Sequence, residues 1–340
     1  MTSALQAVTR RQLLAFDFPA ITTAPAAEHW IRVHRPAMAC RFDVLLDGED
    51  ARFVPAAREA LDEADRLEAA LTVFRETSEI VRVNRTAADA PARVDAELFA
   101  LLTHCRELHD RTERAFDITT TPLSRCWGFL QREGRLPPSA DLQAARAIVG
   151  MEHVALDRLA DAGSCVRFLR PGVELNLGAI GKGYALDRMA DLLRRRGVED
   201  ALLSAGGSSV LAVGGRDAGW TIDLRSRQVA RSRLARLRLR EGALGTSGAG
   251  EQYVEVDGTR YGHVLDARTG WPASGVLSAS VIAHDAATAD ALSTAFLVGG
   301  CDLAERYCAA HADTLALITS DDGSEAPRVF GRFPGVILES

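Results

Sequence analysis

Long apolar runs are missing from this chain. No segment reaches the roughly 18 consecutive apolar residues that a membrane-spanning helix needs. Near the N-terminus, Leu13-Leu14-Ala15-Phe16 follows Arg10-Arg11 but is cut off by Asp17. A secretory peptide needs about 7–15 apolar residues there. A basic balance is missing too. Net charge is -6, with both signs spread along the 340 residues, whereas a nucleic-acid binder needs a basic face. One compact basic stretch, residues 225–240, is interrupted by leucine, alanine and valine and reads as a solvated strand-loop region. The six cysteines (Cys40, Cys105, Cys126, Cys165, Cys301, Cys308) form no C-x-x-C pair and no zinc spacing. They read as thiols of a reducing compartment, with Cys301 and Cys308 spaced to share a helix face. No repeat of about 20–50 residues recurs. These absences predict a soluble, cytoplasmic globular protein without membrane insertion or nucleic-acid binding.

What is present is ordinary globular material, 47% hydrophobic and 25% charged, enough for one large domain or two interleaved lobes. Residues 1–27 are rich in Ala, Thr and Pro and read as a mobile tail; residues 28–335 read as a single domain. From Trp30, the alternation Ile31, Val33, Cys40, Phe42, Val44, Leu46 predicts strand, closed by Asp47-Gly48. Residues 55–71 and 95–114 carry leucine and alanine at helical spacing. Further helix is predicted over 142–150, 184–196 and 287–298, the last ended by Gly299-Gly300. Strands are predicted within 154–169, at 201–204 and at 276–283. A hairpin over 253–265 turns at Asp257-Gly258. Helices and strands mix without a strict β-α-β rhythm, so the fold class is α+β.

Four constellations could carry chemistry. In Gly178-Ala179-Ile180-Gly181-Lys182-Gly183, glycines and a following helix start suit an anion, phosphate above all, with Lys182 adding charge. A tight turn packing a helix on a sheet explains the same residues. Asp290 and Thr294 are four apart and share a helix face among apolar neighbours. The carboxylate either serves its own helix N-terminus or meets a cation, for which this oxygen pair suits Mg²⁺. His263, at a strand end before Val264-Leu265-Asp266, is a candidate general base or a structural histidine. Asp266 with Thr269-Gly270 reads as an Asx-type turn. Phe116-Asp117-Ile118-Thr119-Thr120-Thr121-Pro122 lines a flavin pocket or starts a capped helix.

The joint order of these segments resembles the ApbE family, the FAD:protein FMN transferases. The resemblance is carried by MACRFDV (38–44), SEIVRVNR (78–85), FDITTTPLSRCWGF (116–129), the 174–208 segment beginning ELNLGAIGKG, GHVLDARTGWP (262–272) and VIAHDAATADALSTAFLVGG (281–300). It implies an α+β fold of mixed sheets and packed helices, with FAD in a cleft between interleaved lobes. It implies FAD cleavage with Mg²⁺ and attachment of FMN through a phosphoester to a Thr or Ser of a target flavoprotein, within a D-x-x-[ST]-G-A-[ST]-like motif, with AMP released. By the same resemblance, Met38, Asp117, Ile118, Thr119, Asn176, Gly178, Lys182 and Val264 contact FAD. The Ala179 carbonyl, Asp290 and Thr294 hold the metal. His263 takes the acceptor proton, with Asp266 second. Asn176 and Ser208 stand where acids are common in the family, and Cys40 falls in MAC where Met-Gly-Thr is usual. An FAD pyrophosphatase would use the same residues, and a non-catalytic flavin carrier is a third reading.

Overall fold

The computed structural model describes residues 30–339 except 131–132, 161–162, 216–218, 226–232, 250–252, 257 and 325. The tail expected over residues 1–27 lies outside the described residues, as do Asp257 and part of the basic stretch. In chain order the described residues form β1 (Trp30–Ala37), β2 (Cys40–Asp47), α1 (Val54–Leu71), α2 (Glu79–Thr86), β3 (Ala92–Val94), α3 (Ala96–Arg111), α4 (Thr121–Cys126), α5 (Ser139–Arg146), β4 (Val154–Arg158) and β5 (Ser164–Phe168). There follow α6 (Gly181–Arg195), β6 (Ala201–Ala205), β7 (Ser209–Val213), β8 (Trp220–Arg225), β9 (Arg233–Leu239), β10 (Gly242–Gly248), β11 (Tyr253–Val256), β12 (Thr259–Gly262) and β13 (Val276–Ala283). The chain closes with α7 (Ala286–Ala310), β14 (Thr314–Ser320), β15 (Arg328–Arg332) and β16 (Val336–Glu339), the last beyond the expected domain end at 335. The class is α+β. None of the described helices is long and apolar enough to cross a membrane.

One antiparallel sheet of eight strands, in the order β1-β2-β6-β7-β10-β13-β14-β15, organises the rest. Its middle is covered on both faces. Successive strand residues point to opposite sides, so Leu203, Val281 and Ile318 enter the core under the helices, and Leu202, Ile282 and Leu317 enter a second core with β8, β9 and β16. This double burial explains why β6 and β7 are buried at every position instead of alternating. On β9, Arg236 pairs with the buried Asp223, so part of the basic stretch is structural. A third, small core gathers Leu123, Trp127, Leu142 and Leu265 around the β11–β12 hairpin.

Three boundaries differ from expectation, each for a physical reason. The chain reverses at Met38-Ala39, with Ala37 paired to Cys40, and Asp47 instead caps a short 3₁₀ turn over Gly48–Phe53. Both turn residues have positive φ (48° and 59°), the geometry of a two-residue hairpin that Asn-Gly usually supplies. Helix α6 begins at Gly181 and not after Gly183, so Lys182 lies in its first turn. Helix α7 passes through Gly299 and breaks only at Gly300 (φ 71°) before resuming to Ala310 with Cys301 and Cys308.

Candidate active site

The site is built where α6 and α7 start. A Cβ on Gly183 would stand 2.0 Å from the carbonyl oxygen of Ala286, so the two helix N-termini meet backbone to backbone. Here glycine is required by helix packing, but against α7 and not against the sheet that the tight-turn reading expected. Each helix then caps the other. Gly183 N–H on α6 donates to Asp290 Oδ2 at 2.8 Å. Ala286 and Ala287 N–H on α7 donate to the two carboxylate oxygens of Asp187, at 2.7 and 2.9 Å. Asp290 therefore does not serve its own helix; that is done by Asp285, which accepts from Thr288 N–H at 2.7 Å.

Asp290 is buried, and its Oδ1 accepts from Ser209 Oγ at 2.7 Å. Burial pushes its carboxyl up, while Lys182, Ser209 and the Gly183 N–H hold it down. Asp187 is pushed up to about 8, by burial first and then by Asp285, against its two backbone donors. One turn beyond Asp290, a row of hydroxyls continues. Ser247 Oγ lies 2.8 Å from Ser293 Oγ and 3.2 Å from Thr294 Oγ1.

Over the start of α6 opens a cavity of about 430 Å³. Its apolar wall includes Met38, Leu71, Phe74 and Leu177, and its polar end includes Lys182 and Ser208. Lys182 is the single lysine of the chain, and its ammonium donates to Ser208 Oγ. Asn176 and Gly178 also line the cavity, with Gly178 N–H donating to Asn176 Oδ1 at 2.9 Å. Met38 reaches the wall through the strained hairpin turn, where two non-glycine residues at positive φ cost about 1 kcal/mol or more each. Cys40 lines the cavity too, but burial pushes its thiol up to about 11, so it is no thiolate at neutral pH. Phe74 stands 79% exposed.

The other sequence candidates fall elsewhere. Asp117, Ile118 and Thr119 are buried and do not line the cavity. Asp117 Oδ1 accepts from Thr119 N–H and Oγ1–H, and Thr119 Oγ1 accepts from Gly150 N–H at 2.7 Å. Their link to the cavity is the Ile118 carbonyl, which accepts from Asn176 N–H at 2.7 Å. Pro122 lies in the first turn of α4, as the helix-start reading expected, but no side chain caps that helix. His263 is half-buried after β12, and neither it nor Asp266 lines the cavity. Asp266 is held by Arg268, whose Nε and Nη2 donate at 2.8 and 3.0 Å, and its carbonyl closes the turn to Gly270. Val264 packs against the main core. Ala179 is half-buried in the turn before α6.

Comparison with known proteins places this architecture. The model of the ApbE family matches residues 38–319, which spans both helix starts and the cavity. The chain belongs to the ApbE family. It is 35% identical to a FAD:protein FMN transferase of Klebsiella pneumoniae over 248 residues, 72% of this chain and 75% of that protein. It is 31% identical to one of Vibrio cholerae, over 74% of this chain and 76% of that one. Among solved structures, an ApbE protein of Thermotoga maritima superposes with a TM-score of 0.78 at 29% identity, covering 87% of this chain and 96% of that one. The flavin transferase ApbE of Vibrio cholerae superposes at 0.76 and 25% identity, covering 89% and 97%.

Sequence reasoning missed Asp187, Ser209, Ser247 and Phe74. Only one signal for the site was available in composition alone, the singularity of Lys182. Asp187 had a positional hint, since it follows Gly183 by four residues and so shares its helix face.

Proposed function

We propose that this chain is an FAD:protein FMN transferase that moves FMN from FAD to a Thr or Ser hydroxyl of a partner flavoprotein and releases AMP. The observation that carries this reading is the single lysine at the start of α6, lining a cavity of about 430 Å³ together with the apolar Met38, Leu71, Phe74 and Leu177. A dinucleotide with a flat ring and two phosphates needs both ends of such a cavity. Met38 and Leu177 would cover the flavin. Asn176, Gly178 and the Lys182 ammonium would hold the phosphates; in the first turn of α6 the N–H groups of Gly181, Gly183 and Tyr184 are already taken by Leu177, Asp290 and Ile180. Asp117, Ile118 and Thr119 would act from behind, through the Ile118 carbonyl that fixes Asn176, and Val264 would brace the acceptor side.

The residues present fit a hard divalent cation. Among the described residues no cluster of three or more His, Cys, Asp or Glu forms, so the set is one carboxylate, Asp290, with the Thr294 hydroxyl and the Ala179 carbonyl. These are oxygen donors only, as Mg²⁺ prefers. The carboxylate is buried, which pushes its pKa up, and Lys182 is the one cation among the groups that offset that burial. Bound there, Mg²⁺ would neutralise charge developing on the diphosphate.

In the transfer, the acceptor oxygen forms a bond to the FMN phosphorus while the bond from that phosphorus to the bridging oxygen breaks, and AMP leaves with that oxygen. The acceptor proton goes to His263. Asp266, engaged by both arms of Arg268, is not free for that role. Lys182 steadies the diphosphate as it separates, and the work of the chain is positioning and charge neutralisation.

An intact-mass assay tests this. Purified protein is mixed with FAD, Mg²⁺ and an acceptor domain carrying a D-x-x-[ST]-G-A-[ST] segment, with EDTA as control. The expected result is an acceptor heavier by one FMN moiety only when metal is present. AMP and free FMN with an unlabelled acceptor would replace the reading with FAD hydrolysis, and tight FAD binding without turnover would replace it with a carrier.

A further inference from the structure

The phosphate-binding end and the candidate cation end of the site sit on different helices. Lys182 rides on the first turn of α6 and Asp290 on α7, so their separation is set where those helices meet. That meeting is electrostatically awkward. Each helix N-terminus carries about half a positive charge, and here two of them converge. Gly183 stands against the Ala286 carbonyl with no room for a Cβ.

The contact is held by an exchange of carboxylates. On α6, Gly183 supplies an N–H and Asp187, four residues on, a carboxylate on the same face. On α7, Ala286 and Ala287 supply N–H groups and Asp290, four residues after Ala286, a carboxylate. Asp285 satisfies only Thr288 N–H among these first-turn donors, leaving Ala286 and Ala287 to Asp187. Through these two bonds one side chain, Asp187, bridges α6 to the start of α7.

We propose that Asp187 is a positioning residue, which clamps the start of α7 onto α6 and thereby sets Asp290 and Thr294 against Lys182. This rests on the FAD and metal roles proposed above for those residues. Asp187 reaches no cavity atom itself. Its effect passes through the backbone of Ala286 and Ala287, one helical turn before Asp290. Asp187 is itself half-buried, and desolvation together with the neighbouring Asp285 pushes its carboxyl up.

The test separates cation binding from flavin binding. Mn²⁺ affinity is titrated by the loss of the free-ion EPR signal, without FAD. FAD affinity is titrated by flavin fluorescence in EDTA. Asp187→Ala should weaken Mn²⁺ binding by about ten- to a hundredfold, the range for residues that orient metal ligands from behind. FAD binding in EDTA should change by less than about twofold, because Lys182, Asn176 and Gly178 stay in place. Asp187→Asn keeps the shape but only one acceptor oxygen, so its Mn²⁺ affinity should fall between the two; it also decides the matter if the alanine variant does not fold. A folded variant with a lower Tm and wild-type Mn²⁺ affinity would overturn the proposal, as would equal loss of Mn²⁺ and FAD. Absence of Mn²⁺ binding by the wild type would instead overturn the metal reading beneath it.

Discussion

Two segments attract attention for the same reasons, residues 116–123 and 178–183, yet they stand on opposite sides of the site wall. Both combine small residues, a helix start and a polar group beside apolar ones. In the second, the helix start opens on a cavity, Lys182 is half-exposed, and Gly183 is pressed against a second helix. In the first, Asp117, Ile118 and Thr119 are buried, and their polar atoms serve Thr119, Gly150, Asn176 and His109, whose Nδ1 lies 3.3 Å from Asp117 Oδ2. The difference teaches that a polar residue beside a ligand site can act on the ligand or on the backbone that frames it. Which it does depends on what its hydrogen bonds meet.

That contrast can be broken by substitution. The largest effect belongs to Asp290→Ala, which removes the buried carboxylate of α7. Metal-dependent turnover should fall by at least about a hundredfold, as when a charge-stabilising group is removed. Turnover within about tenfold of wild type, measured as AMP release, would take Asp290 out of the metal site. Lys182→Ala should come next. Loss of a charged hydrogen bond to phosphate is worth about 1.5–3 kcal/mol, or about ten- to a hundredfold in FAD affinity by fluorescence titration. An unaltered curve would leave the cavity without its anchor.

Thr119→Val should show the opposite signature. It strands the Gly150 N–H and one acceptor–donor contact of Asp117, so stability should drop by about 1–3 kcal/mol in denaturant melts. FAD affinity should stay within about twofold. Weakened flavin binding with an unchanged melt would move the 116–123 segment into the ligand shell and erase the contrast.

The last test concerns pH. Asp187 binds its proton more tightly in the folded chain, up to about 8, than an ordinary carboxyl does near 3.8. Its contribution to stability is therefore fully present below about 4 and is lost as pH rises towards about 8. Without metal, the melting midpoint should decline over that window more in wild type than in Asp187→Asn. Parallel profiles would mean that Asp187 titrates normally.

Some of this was legible in the chain. Strand β13 follows residues 276–283 because its ends are marked and its short run is rich in Val, Leu, Ile and Ala, interrupted only by the small Ser278 and Ser280. Helix α3 starts where Asp95 offers its side chain to Leu98 N–H, a local bond that needs no tertiary partner. The hairpin at Met38-Ala39 was not legible, since neither residue favours positive φ and the turn persists only because the paired strands hold it. Nor was the length of α7, whose Gly299-Gly300 looks like a helix stop; packing on β10, β13 and β14 carries the helix past it.

The sequence by itself determined many of the helices, a few strands, the family and the residue types that could meet a phosphate or a cation. Periodicity, caps and four-residue spacings act within a few turns of chain, so a linear reading captures them. Only the tertiary structure decided what Asp290 and Asp187 do. Their partners lie 107 and about 100 residues away, and a carboxylate beside a helix start looks the same in sequence whichever helix it serves. Burial settles the matter: once two helix ends are packed too closely for a side chain between them, each carboxylate must satisfy the N–H groups it faces.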